Sequence, residues 1–206
     1  MTSYADMYVG LLALQGGFER HAHQVRLVGA VPVEIRCARD FEKIDALIMP
    51  GGESTTIHYL MEKFDLRQPL LDFAATHPVF GTCAGMILLS SKILDNQAGI
   101  RPLALLDIEV LRNDYGRQVY SFQDALPARL NGSQVDLTAT FIRAPRIVRA
   151  GETVTVLARY RDDPVLVQSG RFLACSFHTE LDDDTRLLKY FLSLSPMAHH
   201  EGGVDA

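Results

Sequence analysis

Phe80-Gly81-Thr82-Cys83-Ala84-Gly85-Met86 is the stretch around which the rest of this chain is organised. Val79-Phe80 before it is short and β-prone, and Met86-Ile87-Leu88-Leu89 after it reads as the opening turns of a helix. A cysteine with glycines two residues to either side has the Gly-x-nucleophile-x-Gly pattern of a sharp strand-to-helix elbow. The glycines leave room for a strained turn that pushes the central side chain out over a sheet. The following helix then aims its N-terminal N–H groups at the sulfur, which favours thiolate over thiol. On this stretch alone, a buried cysteine acting as a small hydrophobe is the competing reading.

Upstream, Met7 to Leu14 is a nearly continuous apolar run, as expected of a strand buried on both faces. Gln15-Gly16-Gly17 turns the chain, Phe18 to Val28 has helical spacing, and Gly29 stops that helix. Val31 to Ile35 is a short strand near an edge, because Pro32 cannot donate to a ladder on both sides. Ala46-Leu47-Ile48-Met49 is a further buried strand, broken by Pro50-Gly51-Gly52. Ser54 or Thr55 caps a helix to about Phe64, and a second helix runs from Leu66 to Ala75. Alternating strands and helices imply a parallel sheet covered by helices, an α/β fold.

Beyond about residue 105 the texture changes to short strand candidates at 108–111, 118–122, 135–142, 153–160, 164–168 and 171–176. Turns at Asn131-Gly132, Ala150-Gly151 and Ser169-Gly170 separate several of them, so this half is antiparallel or mixed. A helix from Asp184 to Leu194 closes the domain, with Asp182-Asp183-Asp184 favouring its positive end rather than holding a metal. Residues 1–195 read as one domain and 196–206 as a polar, frayed tail.

The composition narrows the class. A chain of 206 residues with 48% hydrophobic and 22% charged residues suits one well-buried domain. A net charge of -5 argues against nucleic acid or an anionic membrane as the main partner. No apolar run approaches the roughly 20 residues needed to span a bilayer. The first six residues lack the basic charge of a signal peptide, and three scattered cysteines form no disulfide framework, so a reducing cytoplasm fits best.

A thiol nucleophile needs a base, and the base needs an orienting group. Of seven histidines, His21, His23, His58, His77, His199 and His200 read as solvated or helix-face residues. His178 differs, because it follows the apolar strand Phe172-Leu173-Ala174-Cys175 and precedes Glu180 by two residues. In an extended backbone both side chains project to one side, so Glu180 would fix the imidazole at Nδ1 while Nε2 faces the thiol. Cys83 and His178 both fall at the carboxyl ends of strands, where open α/β sheets bind ligands. A surface loop that merely contains His and Glu is the alternative. Gly51, Gly52 and Ala84 offer backbone N–H groups for an oxyanion, each such donor being worth roughly 2.7–4 kcal/mol of barrier. A plain turn and helix cap would explain the Pro50-Gly51-Gly52 segment equally well.

Phe80-Gly81-Thr82-Cys83-Ala84-Gly85 and Ser176-Phe177-His178-Thr179-Glu180 together resemble the signatures of the class I, triad-type glutamine amidotransferases. Leu14-Gln15-Gly16, Pro50 to Thr56, Arg112-Asn113 with Tyr115 to Gln118, and Phe141 to Pro145 are similar to one branch, the glutaminase subunits of pyridoxal 5′-phosphate synthase. The resemblance runs in order from residue 8 to about 192. It implies a flavodoxin-like, three-layer, mostly parallel sheet with added antiparallel strands. It also implies Cys83 as nucleophile, His178 as general base and acid, and Glu180 as orienter, with no cofactor and no metal. Gly52, Glu53, Ser54, Arg112, Ile142 and Arg143 would line an L-glutamine site, and ammonia would pass to a synthase subunit. The synthase would dock on Gln15, Gly16, Gly17, Arg20 and His21, completing the oxyanion hole. The family's usual His-Pro-Glu is His178-Thr179-Glu180 here, which loosens one backbone constraint. A silent scaffold, a cysteine-elbow hydrolase and a glutaminase serving another acceptor are the rival readings.

Overall fold

The structure is a computed structural model that describes residues 4–112 and 121–196. Its first half alternates as expected: β1 (Tyr8–Leu12), α1 (Phe18–Leu27), β2 (Val31–Ile35), β3 (Ala46–Met49), α2 (Ser54–Lys63), α3 (Arg67–Ala74), β4 (Val79–Thr82) and α4 (Ala84–Leu89). Then come β5 (Ser90–Ile93), β6 (Leu106–Leu111), β7 (Phe122–Leu130), β8 (Ser133–Phe141), β9 (Arg146–Ala150), β10 (Thr155–Tyr160), β11 (Asp163–Ser169), β12 (Phe172–Cys175) and α5 (Arg186–Leu192). Nine strands form one sheet in the order β2-β1-β3-β4-β12-β11-β10-β7-β8. Neighbours from β2 to β12 are parallel, and those from β12 to β8 are antiparallel. The proline-bearing β2 is the edge strand that its sequence requires.

Alternation along the parallel strands builds two cores, one on each face. Val9, Leu11, Ile48, Phe80, Leu173 and Cys175 point to one side, where α1 and α5 cover them through Val25, Leu188 and Phe191. Leu12, Leu47, Met49, Val79 and Ala174 point to the other, under Ile57 of α2, Phe73 of α3 and α4. Both faces are therefore dry, which is why these strands read as continuous apolar runs. The result is the helix–sheet–helix sandwich of the α/β class.

Local expectations are corrected at two points. The helix that opens after Cys83 ends at Leu89, because Ser90 turns extended (ψ 159°) and its hydroxyl donates to the Ile87 carbonyl at 2.7 Å. Residues 90–93 instead start a second, three-stranded sheet, β5-β6-β9. Of the strand expected over 118–122, only its last residues, Ser121 and Phe122, lie within the described chain; the strand there is β7, which runs on from Phe122 and tolerates Pro127 opposite Asp136. The tail from Met197, with His199 and His200, lies outside the described residues, as does most of the Arg112 to Gln118 motif.

The elbow depends on two absent side chains. A Cβ on Gly85 would come 2.1 Å from the Met49 carbonyl oxygen, and one on Gly81 would come 2.6 Å from the Gly85 carbonyl carbon. Both neighbours are backbone and cannot swing aside. Gly85→Ala is therefore expected to destabilise the protein by about 1–3 kcal/mol, the usual cost of overpacking. Thermal unfolding checks this; an unshifted melting temperature would show that the contact relaxes freely.

Candidate active site

Cys83 sits where β4 ends and α4 begins, with φ 49° and ψ -103°, a backbone conformation unusual for a residue with a side chain. Its N–H donates to the Cys175 carbonyl of β12 at 2.8 Å, which ties the elbow to the neighbouring strand. Three residues past that carbonyl is His178. Its own N–H donates to the Thr140 carbonyl near the end of β8 at 2.8 Å, so the base is fixed by a strand from the antiparallel half. The imidazole Nδ1 is 2.7 Å from Glu180 Oε1, which leaves Nε2 as the nitrogen for the Cys83 thiol on the wall of the same cavity. Cys83, His178 and Glu180 thus lie side by side at two neighbouring strand ends.

The charges of this row are mutually dependent. Burial opposes an imidazolium at His178, but its hydrogen bonds to Cys83 and Glu180 and their charges outweigh burial and push its pKa up to about 10. Glu180 is buried, which disfavours its charge, yet the bond to His178 and the nearby His21 hold its pKa below the usual carboxylate value. Raised histidine and lowered glutamate both describe a cation stabilised between two acceptors. Such a ring carries its second proton through neutral pH.

A cavity of about 340 Å³ opens over the thiol. It takes in Cys83 and His178 together with Gly52, Glu53, Ser54, Arg112, Ile142 and Arg143, and also Gln15 and Ile87. Arg112 donates to Glu53 Oε1 at 3.4 Å through Nη2, while its Nε is buried with no hydrogen-bond partner among the described residues. A largely buried guanidinium with an idle N–H suits a substrate carboxylate. Arg143 stands in the left-handed region (φ 44°) just past β8, strain of the kind that accumulates at ligand-binding turns. Glu53 has a structural duty that the sequence reading did not assign. As N-cap of α2 its carboxylate accepts from the N–H groups of Thr55 at 3.2 Å and Thr56 at 2.6 Å. Burial works against its charge, but the Thr55 and Thr56 bonds lower its pKa to about 2, so it stays ionised through neutral pH.

The Gln15-Gly16-Gly17 turn packs directly on the Gly51-Gly52 segment. Gly17 N–H donates to the Gly51 carbonyl at 3.0 Å, and Gln15 Oε1 accepts from the Glu53 N–H at 2.8 Å. In a trans peptide N–H and C=O point opposite ways, so the Gly52 N–H is directed away from Gly17. Gly51 lies against the imidazole; a Cβ there would come 2.5 Å from His178 Cε1. Ala84 opens α4, where its N–H has no intrahelical acceptor.

His21 overturns an expectation. Arg20 beside it is exposed, but His21 is turned inward, 1% accessible, and lies next to Glu180 rather than on a solvated helix face. Its signal was present: His21, Gln24, Val25 and Val28 follow the 3, 4, 7 spacing of a buried stripe. Ile87 and Thr140 were also missed, since neither carries a group that announces catalysis.

An open α/β sheet with a cysteine elbow and a His-x-Glu pair at the adjacent strand end is the arrangement of the class I glutamine amidotransferases. The chain belongs to the SNO glutamine amidotransferase family, whose sequence profile matches residues 11–195. It is 46% identical over 189 residues to the pyridoxal 5′-phosphate synthase subunit PdxT of Geobacillus sp. (strain WCH70), covering 91% of this chain and 96% of that one. It is 45% identical over 186 residues to the PdxT of Francisella philomiragia, covering 90% and 98%. A crystal structure of a glutamine amidotransferase superposes with TM-score 0.84 at 42% identity, over 90% of this chain and 97% of that one. PurLQS from Thermotoga maritima shares the fold at TM-score 0.68 and 15% identity, over 90% of this chain and 97% of that one.

Two substitutions probe this geometry. Arg112→Gln is expected to raise KM for glutamine about 10- to 100-fold, the worth of a charge-assisted hydrogen bond, with kcat little changed. An unaltered KM would remove Arg112 from the binding site. Thr179→Pro retains the carbonyl that Gln24 Nε2 holds at 2.6 Å while losing an N–H and a hydroxyl, so turnover should change by less than about threefold. A larger change would mean that this backbone governs how Glu180 meets His178.

Proposed function

We propose that the chain hydrolyses L-glutamine to L-glutamate and ammonia through a Cys83 thioester, and delivers the ammonia to a separate synthase subunit that makes pyridoxal 5′-phosphate. The observation that carries the reading is the Cys83–His178–Glu180 row opening onto a cavity whose wall holds Arg112, its buried Nε–H without a hydrogen-bond partner among the described residues. The PdxT names of the relatives supply the acceptor branch.

In this mechanism the Cys83 thiolate attacks the side-chain amide carbon of glutamine, forming a C–S bond and a tetrahedral oxyanion. The N–H groups of Gly52 and Ala84, with the Gly51 segment beside them, face that oxyanion. The His178 imidazolium gives its proton to the amide nitrogen, the C–N bond breaks and ammonia leaves. Neutral His178 then takes a proton from water, whose oxygen attacks the thioester. The C–S bond breaks, the thiolate returns, and glutamate departs. Arg112 and Arg143 would hold the substrate α-carboxylate, and Glu53, ionised at neutral pH, its α-ammonium.

Free ammonia is lost to bulk water, which favours a docked acceptor. The docking surface in this reading is the Gln15-Gly16-Gly17 turn and the exposed side of α1 around Arg20. That turn grips the Gly51-Gly52 peptide, so a partner pressing on it would act on the oxyanion site. Among the described residues no helix is long and apolar enough to cross a membrane, and a cytoplasmic setting is the one proposed. Residues 1–195 serve as one amidotransferase domain in this account.

Glutamate release is to be measured with and without the synthase subunit, for the wild type and Cys83→Ala. Slow turnover alone, faster turnover with the partner, and a loss of about 1,000-fold or more in Cys83→Ala are expected. Comparable turnover by Cys83→Ala would sink the thioester route. Silence of both proteins with the partner present would favour a catalytically inert scaffold.

A further inference from the structure

The triad is joined to α1 by two buried polar side chains. Gln24, 2% accessible, donates from Nε2 to the carbonyls of Thr179 at 2.6 Å and Asp182 at 3.0 Å, which clamps the segment carrying Glu180. One helical turn earlier, His21 Nε2 lies 3.5 Å from Glu180 Oε2 and 3.3 Å from the hydroxyl of Thr82, the residue before the nucleophile. Glu180 is 5% accessible, and its Oε1 is engaged by His178. Its Oε2 is buried with no partner at hydrogen-bond geometry among the described residues, so the His21 ring is the donor placed to serve it. Gly17, the residue that opens α1, completes the enclosure: a Cβ there would stand 3.2 Å from Glu180 Oε1.

We infer that His21 is a positioning residue for glutamine hydrolysis, its Nε2–H holding the outer oxygen of Glu180 while the inner oxygen orients His178. The inference rests on the triad proposed above. A carboxylate that swings about its Cγ–Cδ bond addresses His178 in more than one geometry, and misplacement near 1 Å is costly to a reaction that depends on alignment. Burial and the neighbouring His178 keep the His21 ring neutral against the pull of Glu180, so it donates without placing a second cation in the row. An apolar side chain would fill this space without a desolvation cost, but only a polar one such as imidazole offers the donor that a buried carboxylate needs.

The test is steady-state glutaminase kinetics in the presence of saturating synthase subunit, for His21→Leu, His21→Gln and each combined with Glu180→Gln. His21→Leu should lower kcat about 10- to 100-fold with KM within about twofold. His21→Gln, which offers an amide N–H at similar reach, should recover most of that loss. In the Glu180→Gln background His21→Leu should cost less than about threefold, because the group it positions is gone. If His21→Leu does not fold, His21→Asn, which withdraws the N–H from Glu180, is read the same way. A wild-type kcat in His21→Leu or His21→Asn overturns the inference, as does an equal loss in both backgrounds. Cys83→Ala measured alongside separates the two levels: activity there overturns the triad and this inference together.

Discussion

Everything at this site depends on the parallel pairing of β12 with β4. The register sets Phe172 opposite Val79 and Cys175 opposite Thr82, and the ladder closes with the Cys83 N–H on the Cys175 carbonyl. Cys83 and His178 come from distant parts of the chain, yet each follows its strand at the same level. A slip of one residue would turn Cys175 out of one core and Ala174 out of the other, and would carry His178 to the wrong side of the elbow. Burial on both faces is what fixes that register. The catalytic distances are thus a by-product of two well-packed cores.

Close approach is the second condition. The imidazole, the thiol-bearing elbow and the Gly51 segment crowd into a space where side chains are missing by necessity, at Gly51 for His178 and at Gly85 for the β3 backbone. The antiparallel half is not decoration. Thr140 of β8 holds His178 by its N–H, and the same strand runs on into Ile142 and Arg143 on the cavity wall. One strand therefore both fixes His178 and leads into the cavity wall.

The readable parts of the sequence were those in which one short segment specifies one local geometry. The Gly-x-Cys-x-Gly elbow, the His-x-Glu pair and the apolar strands each announced themselves, and the structure assembles them as expected. The unread parts are non-local. The β5-β6-β9 sheet is made of short, partly charged strands whose pairing no neighbour in sequence implies. The α2 cap is Glu53 and not the expected Ser54 or Thr55, because the helix already begins at Ser54 and a carboxylate one residue earlier reaches the Thr55 and Thr56 N–H groups. His21 was hidden for a different reason: an imidazole on a helix reads as solvated unless its own spacing is compared with the buried stripe, and the carboxylate that draws it inward lies far along the chain.

The placement of β12 has a consequence for how the molecule is made. The strand formed last in the chain lies inside the sheet, between β4 and β11, and not at an edge. A nascent chain that has emerged only through β11 exposes the β4 edge and has no base to pair with its thiol. Insertion of a late strand between two earlier ones is a long-range closure, the kind of step that folds slowly and leaves open edges in the meantime. The Cys175 carbonyl and His178 reach Cys83 only when residues 172–180 settle into the slot. The thiol and the imidazole do not meet before the last strand of the sheet is in place.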